Sequence, residues 1–314
     1  MNTYIAPIVL FVYSRPEHTR RVIEALAANK GADKSKLFIF SDGPKNDTTA
    51  RNVEKVREYI RSINSMNMFS QVIIHESETN KGLANSIIDG VSLVLKEYDR
   101  IIVLEDDIIT APDFIEYMND ALSYFKDNYL IWSISGYSPP LNLPKGYNHD
   151  IYLSYRACSW GWGTWKDRWE KVDWKVRDYE QFKKHHLARM AFNRGGADLS
   201  KMLDYQMQGK IDSWAIRWCY SQYKHGMLTV YPVISRVKNI GLDGSGTHGV
   251  ISTEWGDKIY CQKKPCKFEN IELNSKIIKE FRKVYKIKKR EYAKAAVRKL
   301  INFMIKNKFL GDNT

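Results

Sequence analysis

The sequence predicts an α/β fold with a Rossmann-like, mostly parallel sheet flanked by helices. Two observations predict it. In residues 1–110, four short apolar runs alternate with segments whose apolar residues recur at helical spacing, which is the signature of parallel βαβ units. Each apolar run also ends in polar residues, as expected where parallel strands open onto a ligand cleft at their carboxyl ends.

The elements follow in order along the chain. Strands are predicted over the short apolar runs, at residues 6–16, 36–44, 69–77 and 99–107. Helices are predicted where apolar residues fall on one face of a 3.6-residue period, at residues 17–29, 48–63, 81–98 and 112–128. A strand and turn are predicted over residues 130–140, and from residue 151 the pattern changes to short strands, loops and tryptophans.

The charge divides the chain into a nearly neutral body and a basic tail. The formal net charge is +13, but residues 257–314 contain 17 Lys and Arg against 6 acidic residues, so the body carries only +2. We therefore predict that residues 257–314 form a basic helical tail. Residues 1–256 are predicted to be one domain with two functional halves, 1–135 and 136–256.

The sequence indicates a cytoplasmic protein. We expect no membrane span, because there is no run of about 18 apolar residues, and no signal peptide, because the N-terminus lacks a basic region and a cleavage site. The four cysteines have no zinc-binding spacing, which is typical of reduced thiols.

Glu105, Asp106 and Asp107 directly follow the fourth predicted strand. Three adjacent carboxylates repel one another and are costly beside a buried strand unless a cation neutralises them. Mg²⁺ and Mn²⁺ prefer oxygen ligands and often bind one or two carboxylates together with phosphate oxygens. A solvated turn is the alternative, although the apolar Ile108 and Ile109 that follow do not favour it. The cluster predicts a site for Mn²⁺ or Mg²⁺ with a phosphate.

Other polar residues near the predicted strand ends could bind a nucleotide. Arg15 could contact a diphosphate, and Asp42 could accept from a base imide or a ribose hydroxyl; either could instead be a turn residue with local hydrogen bonds. Lys81 is a further candidate, because Gly82 beside it opens a predicted helix whose N-terminus would favour an anion. Neither a P-loop nor a GxGxxG motif occurs.

These motifs together resemble a known family. VLFVYSRPEHTRRVIEAL, FSDGP, NKGLANS and VLEDDI resemble, in order and spacing, the nucleotide-sugar half of GT-A-type glycosyltransferases. LEDDI is similar to the N-acetylglucosaminyltransferase I branch and to bacterial surface-polysaccharide transferases. Downstream, CSWGWGTW resembles the acceptor-side loop, IDSWAIRW the segment with the catalytic base, and VISRVKNIG with GSGTHG the closing segment. The resemblance covers about residues 6–250.

The resemblance implies roles for the residues of the donor side. Asp107 would be the metal ligand. Glu105 and Asp106 would contact the ribose or the donor sugar, or hold the loop, and Arg15 and Asp42 would grip the nucleotide.

The resemblance also implies that Asp212 is the general base and that His248 faces the metal or the diphosphate. Ser213 stands where the relatives have a second acid, so Asp212 would act alone. From the residues alone, Asp212 could instead be the N-cap of the helix that follows.

Three tryptophans are candidates for the acceptor side. Trp160 and Trp162, beside Gly161 and Gly163, could stack on sugar faces, and Trp214 beside Asp212 could shield the site from water. The alternative is structural packing, since the spacing from Trp162 onward also fits a helical core.

The basic tail predicts contact with an anionic membrane surface. Residues 276–308 hold 13 Lys and Arg against 2 Glu, with apolar residues at helical spacing, as in basic amphipathic helices that bind membranes. A helix packed on the body with a solvated basic face is the alternative. We expect no nucleic acid partner, because no recognised module accompanies the charge.

The resemblance thus implies an inverting, metal-dependent glycosyltransferase with a nucleotide-sugar half (1–135) and an acceptor-binding, catalytic half (136–256). It would move a sugar from a nucleotide-sugar, expected to be UDP-linked, to a glycan or lipid-linked acceptor. The setting would be bacterial surface polysaccharide synthesis at the inner face of the cell membrane. The alternative is a nucleotidyltransferase acting on a sugar phosphate, a class whose glycine- and lysine-rich N-terminal loop this sequence lacks.

Overall fold

The computed structural model of the chain describes residues 5–242 and 265–286. The strands are β1 Ile8–Val12, β2 Lys36–Ser41, β3 Gln71–Glu76, β4 Arg100–Glu105, β5 Ile108–Thr110, β6 Ile131–Ser135, β7 Ile151–Ser154, β8 Trp162–Trp165, β9 Leu228–Pro232 and β10 Val237–Asn239. The helices are α1 Pro16–Ala27, α2 Asp47–Ser62, α3 Leu83–Val94, α4 Phe114–Tyr124, α5 Lys166–Trp169, α6 Tyr179–Lys184, α7 His186–Phe192, α8 Leu199–Met207, α9 Trp214–Lys224 and α10 Ser275–Val284. The strands and helices predicted up to residue 140 are all present.

Eight strands form the central sheet, in the order β3-β2-β1-β4-β8-β6-β9-β7. Strands β1 to β4 pair in parallel, β8 is antiparallel to both β4 and β6, and β9 runs parallel to β6 and antiparallel to β7. Six of the eight strands therefore point the same way. The predicted α/β class with a mostly parallel sheet is confirmed.

The inner strands are apolar throughout because both faces of the sheet are covered. In β1, Ile8 and Leu10 belong to one core cluster, whereas Val9 and Phe11 belong to the cluster on the opposite face. All five residues of this strand are buried. This continuous burial explains why β1 reads as an uninterrupted apolar run rather than an alternating one.

The predicted boundary at residue 135 falls inside the sheet. Strand β6 ends at Ser135, and β8, which comes later in the chain, lies between β4 and β6. The two halves therefore share one sheet.

The described part of the basic tail packs on the body. In α10, Ile277 and Phe281 are buried, and the Phe281 ring lies 5.3 Å from that of Tyr231. The prediction that this apolar stripe faces a membrane is contradicted for α10, because its two buried residues already contact the core. Residues 287–308 lie outside the described part of the chain. Within the described ranges, no helix has the length and hydrophobicity that crossing a bilayer requires.

Candidate active site

The acidic cluster meets the loop after β1 at the carboxyl edge of the sheet. Strands β1 and β4 pair in parallel with Phe11 opposite Glu105, so the residues that follow each strand come together. The guanidinium of Arg15 forms ion pairs with Asp106 and with Asp107, the latter at 3.1 Å. The predicted proximity of Arg15 to the acidic cluster is therefore observed.

Burial and mutual repulsion act on these carboxyls. The pKa of Glu105 is raised well above its usual value by burial and by the neighbouring charges of Asp107 and Asp106. Burial also raises the pKa of Asp106, and the nearby Arg15 opposes that rise. Such a site favours the entry of a cation, since added positive charge would relieve the repulsion.

Asp107 is covered by a segment that arrives from the second half. Strand β10 pairs with β5, directly after the cluster, and the amide of Ile240 donates to the carbonyl of Asp107 at 2.8 Å. A Cβ at Gly241 would lie 3.0 Å from the Cβ of Asp107 and 2.8 Å from an Arg15 nitrogen. A side chain at position 241 would therefore crowd Asp107 and Arg15.

The donor set suits a divalent cation that brings its own ligands. Carboxylate oxygens of Asp107 and its neighbours are the chemistry that Mg²⁺ and Mn²⁺ prefer. Among the described residues, no group of three or more His, Cys, Asp or Glu side chains is arranged to hold a metal ion. The protein would thus contribute few ligands there, and phosphate or water would supply the others. The predicted contribution of His248 lies outside the described residues.

Asp42 joins two loops at the same edge. Its carboxylate accepts from the backbone amides of Gly43, Lys81 and Gly82 at 2.9, 2.9 and 3.0 Å, and from the side-chain amide of Asn80 at 3.1 Å. A carboxylate offers about four acceptor positions, so these bonds use them all. The structure gives Asp42 the local role that the sequence left open, and not that of a free acceptor for a nucleotide.

We expect Asp42→Asn to lower the free energy of unfolding by about 1–3 kcal/mol, because an amide group would face two N–H donors and leave them unsatisfied. Chemical denaturation measures this. The control is Asp47→Asn at the exposed first residue of α2, which should change stability by less than about 0.5 kcal/mol. Equal stability of both variants would show that the bonds of Asp42 do not hold the loop.

Asp212 lies against the loop that Asp42 holds. Its Oδ2 is 3.9 Å from the position of a Cβ on Gly82, and its Oδ1 is 3.5 Å from the guanidinium of Arg217. The Asp212 side chain is 62% exposed. The N-cap of α9 is Ser213, whose hydroxyl accepts from Ile216. The helix-capping alternative for Asp212 is therefore wrong, and the serine that replaces the second acid of the resembled family has the capping role.

Asp42 and Asp107 thus lie at one edge of the sheet. Asp42 follows β2, Asp107 follows β4, and β1 runs between these two strands. Two inter-strand spacings separate the strand ends by about 10 Å. Because Asp212 lies near the loop bonded to Asp42, the metal candidate and the base candidate lie at the same edge of the sheet.

The first 178 residues also match a known family. A model of the GNT-I family matches residues 1–178, which is more than half of the chain. The chain belongs to the GNT-I family. The match contains β1 to β8 and both loops that carry Asp42 and Asp107. It confirms the resemblance drawn from the sequence motifs.

Two relatives bear on this GNT-I family chain. It is 24% identical over 203 residues to an alpha-1,3-mannosyl-glycoprotein 2-beta-N-acetylglucosaminyltransferase of Arabidopsis thaliana. The aligned residues cover 59% of this chain but only 44% of the plant protein. The chain therefore spans less than half the length of that relative. The crystal structure of S. aureus TarS has a TM-score of 0.40 and 10% identity over 76% of this chain and 37% of TarS. A structural similarity this low does not indicate which ligands the GNT-I family chain binds.

Lys81 lies in the loop between β3 and α3, and its backbone amide donates to Asp42. Its ammonium is 3.5 Å from Asp89 on α3, and its side chain is 47% exposed. The next residue, Gly82, has φ of 76°, a conformation that glycine adopts without strain. The side chain of Lys81 can therefore leave Asp89 for an anion without disturbing the backbone bonds to Asp42.

The tryptophan predictions are partly wrong. Trp162 is fully buried and Trp214 is 3% exposed, and their rings lie 5.1 Å apart. Trp162 belongs to strand β8 rather than to a helix. These two side chains form core, which contradicts their predicted contact with the acceptor. Trp160 is half-buried and packs edge-to-face on Tyr137 at 4.5 Å, so it stays a candidate.

Two residues of the site, Arg217 and Gly241, were not predicted from the sequence. Arg217 pairs with Asp212 and donates to the carbonyls of Ser213 and Trp174, and Gly241 covers Asp107 without a side chain. Asp212 and Arg217 are five positions apart, which is not the spacing of three or four at which helical side chains are neighbours, so no spacing signal indicated this pair. No local signal links Gly241 to Asp107, because β10 reaches β5 across a long separation in sequence.

Proposed function

We propose that this chain is an inverting glycosyltransferase that uses Mn²⁺ or Mg²⁺ and a nucleotide-sugar, with UDP as the nucleotide. The sugar would pass to a hydroxyl of a glycan or lipid-linked acceptor in bacterial surface polysaccharide synthesis. The observation that carries the proposal is the position of Asp107, paired with Arg15, and of Asp212, beside Gly82, at one edge of the sheet.

The donor side is the cluster around Asp107. Arg15 is held in place by Asp106 and Asp107, and its planar guanidinium suits the oxygens of a diphosphate. A divalent cation, when bound, would supply positive charge to the leaving diphosphate. Asp107 would hold it, and His248 is proposed to contribute from the closing segment. Glu105 and Asp106 would orient the ribose or the donor sugar.

The acceptor side is Asp212. Its exposed carboxylate would take the proton of the acceptor hydroxyl on Oδ2 while the hydroxyl oxygen attacks the anomeric carbon from the side opposite the diphosphate. The bond between that carbon and the diphosphate oxygen would break as the new bond forms. Arg217 lies near Oδ1 and would keep Oδ2 turned toward the cleft. A general base in this position typically contributes about 10²–10⁴ in rate. Trp160 is proposed to support the acceptor sugar.

Thermal unfolding with added nucleotides tests the donor and the metal. We expect UDP with Mn²⁺ to raise the melting temperature by several degrees, since a ligand at about 100 times its dissociation constant stabilises by about 2.7 kcal/mol. UDP without metal should have little effect, because Asp106 and Asp107 would then repel the diphosphate. Stabilisation by a nucleoside triphosphate and not by UDP would favour a nucleotidyltransferase and contradict the proposal.

A lipid-linked acceptor would place the enzyme at the inner face of the cell membrane. The exposed cations of α10, together with the Lys and Arg residues that the sequence carries in 287–308, are proposed to contact anionic lipid there. In α10 this contact would be electrostatic only, because the apolar residues Ile277 and Phe281 are buried against the body.

A further inference from the structure

A second basic stretch lies on α6 and α7, outside the residues assigned to the candidate site. Residues 183–194 contain four Lys and Arg and no acidic residue. Lys183 and Lys184 are exposed at the end of α6, and the nearest acid in sequence is Glu180, 3.9 Å from Lys183. The positive charge of these exposed lysines favours anions.

Helix α7, within the same stretch, exposes two large apolar side chains. Leu187 is 69% exposed and Met190 is 56% exposed. Leu187 is the most exposed large apolar side chain among the residues that the structure describes. The two are three positions apart and therefore share one side of the helix. Exposing these two apolar side chains to water costs free energy, and contact with an apolar phase would remove that cost.

The other side of α7 is fixed to the body. Phe192 is buried and its ring lies 5.7 Å from that of Phe182. Arg189 forms two hydrogen bonds with Asp204, at 2.9 and 2.7 Å. The helix is thus held firmly through these contacts, so Leu187 and Met190 are presented outward by packing and not by a loose loop.

Helix α10 lies close to the C-terminal end of α7. Helix α10 packs against the 3-10 turn Asn193–Gly195 that directly follows α7. A Cβ at Gly196 would lie 3.1 Å from that of Tyr285, just after α10. The solvent side of α10 carries the exposed cations Lys276, Lys279, Arg282 and Lys283. Helix α10 therefore carries further exposed cations on an element that packs at the C-terminal end of α7.

We propose that the α7 face, defined as Lys183, Lys184, Leu187 and Met190, docks on an anionic lipid surface with Leu187 and Met190 inserted at the boundary between headgroups and acyl chains. Lysine stems can lie along the apolar layer while their ammonium groups stay among the phosphates. A second copy of the chain is a poorer occupant, because a two-fold contact through this face would bring the same cations together.

Sedimentation with vesicles tests the proposal, using the full chain without nucleotide so that the result does not depend on sugar transfer. We expect the intact chain to bind vesicles of phosphatidylcholine mixed with phosphatidylglycerol and not vesicles of phosphatidylcholine alone. The double variant Leu187→Ala with Met190→Ala should bind the mixed vesicles with an affinity lower by about tenfold or more. The double variant Lys183→Gln with Lys184→Gln should lose about fivefold for each charge.

Matched controls use the same substitutions elsewhere. Leu130→Ala changes a leucine that is 63% exposed, and Arg51→Gln with Lys55→Gln removes two exposed cations from α2; neither should change vesicle binding. Absence of binding by the intact chain, or equal losses in test and control variants, would overturn the proposal. So would unchanged vesicle binding by the Leu187 and Met190 variant together with a shift from dimer to monomer in analytical ultracentrifugation, which would assign the face to a second copy.

Discussion

Asp212→Asn is expected to lower the turnover of sugar transfer by about 10²–10⁴ while leaving the affinity for UDP and Mn²⁺ unchanged. The amide has nearly the shape of the carboxylate but cannot take the proton of the acceptor hydroxyl. The side chain is largely exposed and the cap of α9 is Ser213, so the melting temperature should stay the same. Steady-state kinetics with a defined acceptor, together with calorimetric titration of UDP and Mn²⁺, measure both quantities.

The matched control is Asp127→Asn, an exposed aspartate after α4, which should retain full turnover. Asp212→Glu should recover part of the rate, because it restores a carboxylate at a displaced position. Near-normal turnover of the Asn variant would remove Asp212 from the mechanism and leave its contact with Gly82 as a packing detail.

Asp107→Ala is expected to weaken the binding of UDP in the presence of Mn²⁺ by about a hundredfold or more, because a charged metal ligand contributes several kcal/mol. The loss should appear in binding itself, in contrast to Asp212→Asn. Arg15 would keep its partner Asp106, so the loop after β1 should remain in place. Titration calorimetry with and without Mn²⁺ measures the effect.

Asp99→Ala is the control for Asp107→Ala. Asp99 precedes β4 at the opposite end of the strand, is 52% exposed and pairs with Lys126. Its removal should leave nucleotide binding intact. If the Asp107 variant binds UDP in a metal-dependent way as tightly as the unaltered chain, the acidic cluster is not the metal site.

The fold could be predicted where local pattern decides it. Strands β1 and β4 are buried on both faces and therefore appear as unbroken apolar runs, and α2 and α3 show their buried sides at helical spacing. The insertion of β8 between β4 and β6 had no such signal. The pairing partner of a short strand is set by contacts far apart in the sequence, which periodicity does not report.

The site was predictable in part for the same reason. Parallel strands open at one edge, so the order of strands and helices in the sequence was enough to expect Arg15, Asp42 and Asp107 close together. What composition could not decide was whether a side chain is covered. Trp162 and Trp214 are aromatic beside candidate site residues, yet both are core. The apolar residues of α10 were expected to pack against a surface, and Ile277 and Phe281 pack against the body of the protein.

A crystal structure with UDP and Mn²⁺, with the manganese located by its anomalous scattering, tests the central claim most directly. We expect the manganese at Asp107, between the carboxylate and the diphosphate, with Asp212 facing the donor from the other side of the cleft. Manganese bound away from the acidic cluster, or a donor that lies on the same side of the cleft as Asp212, would contradict it.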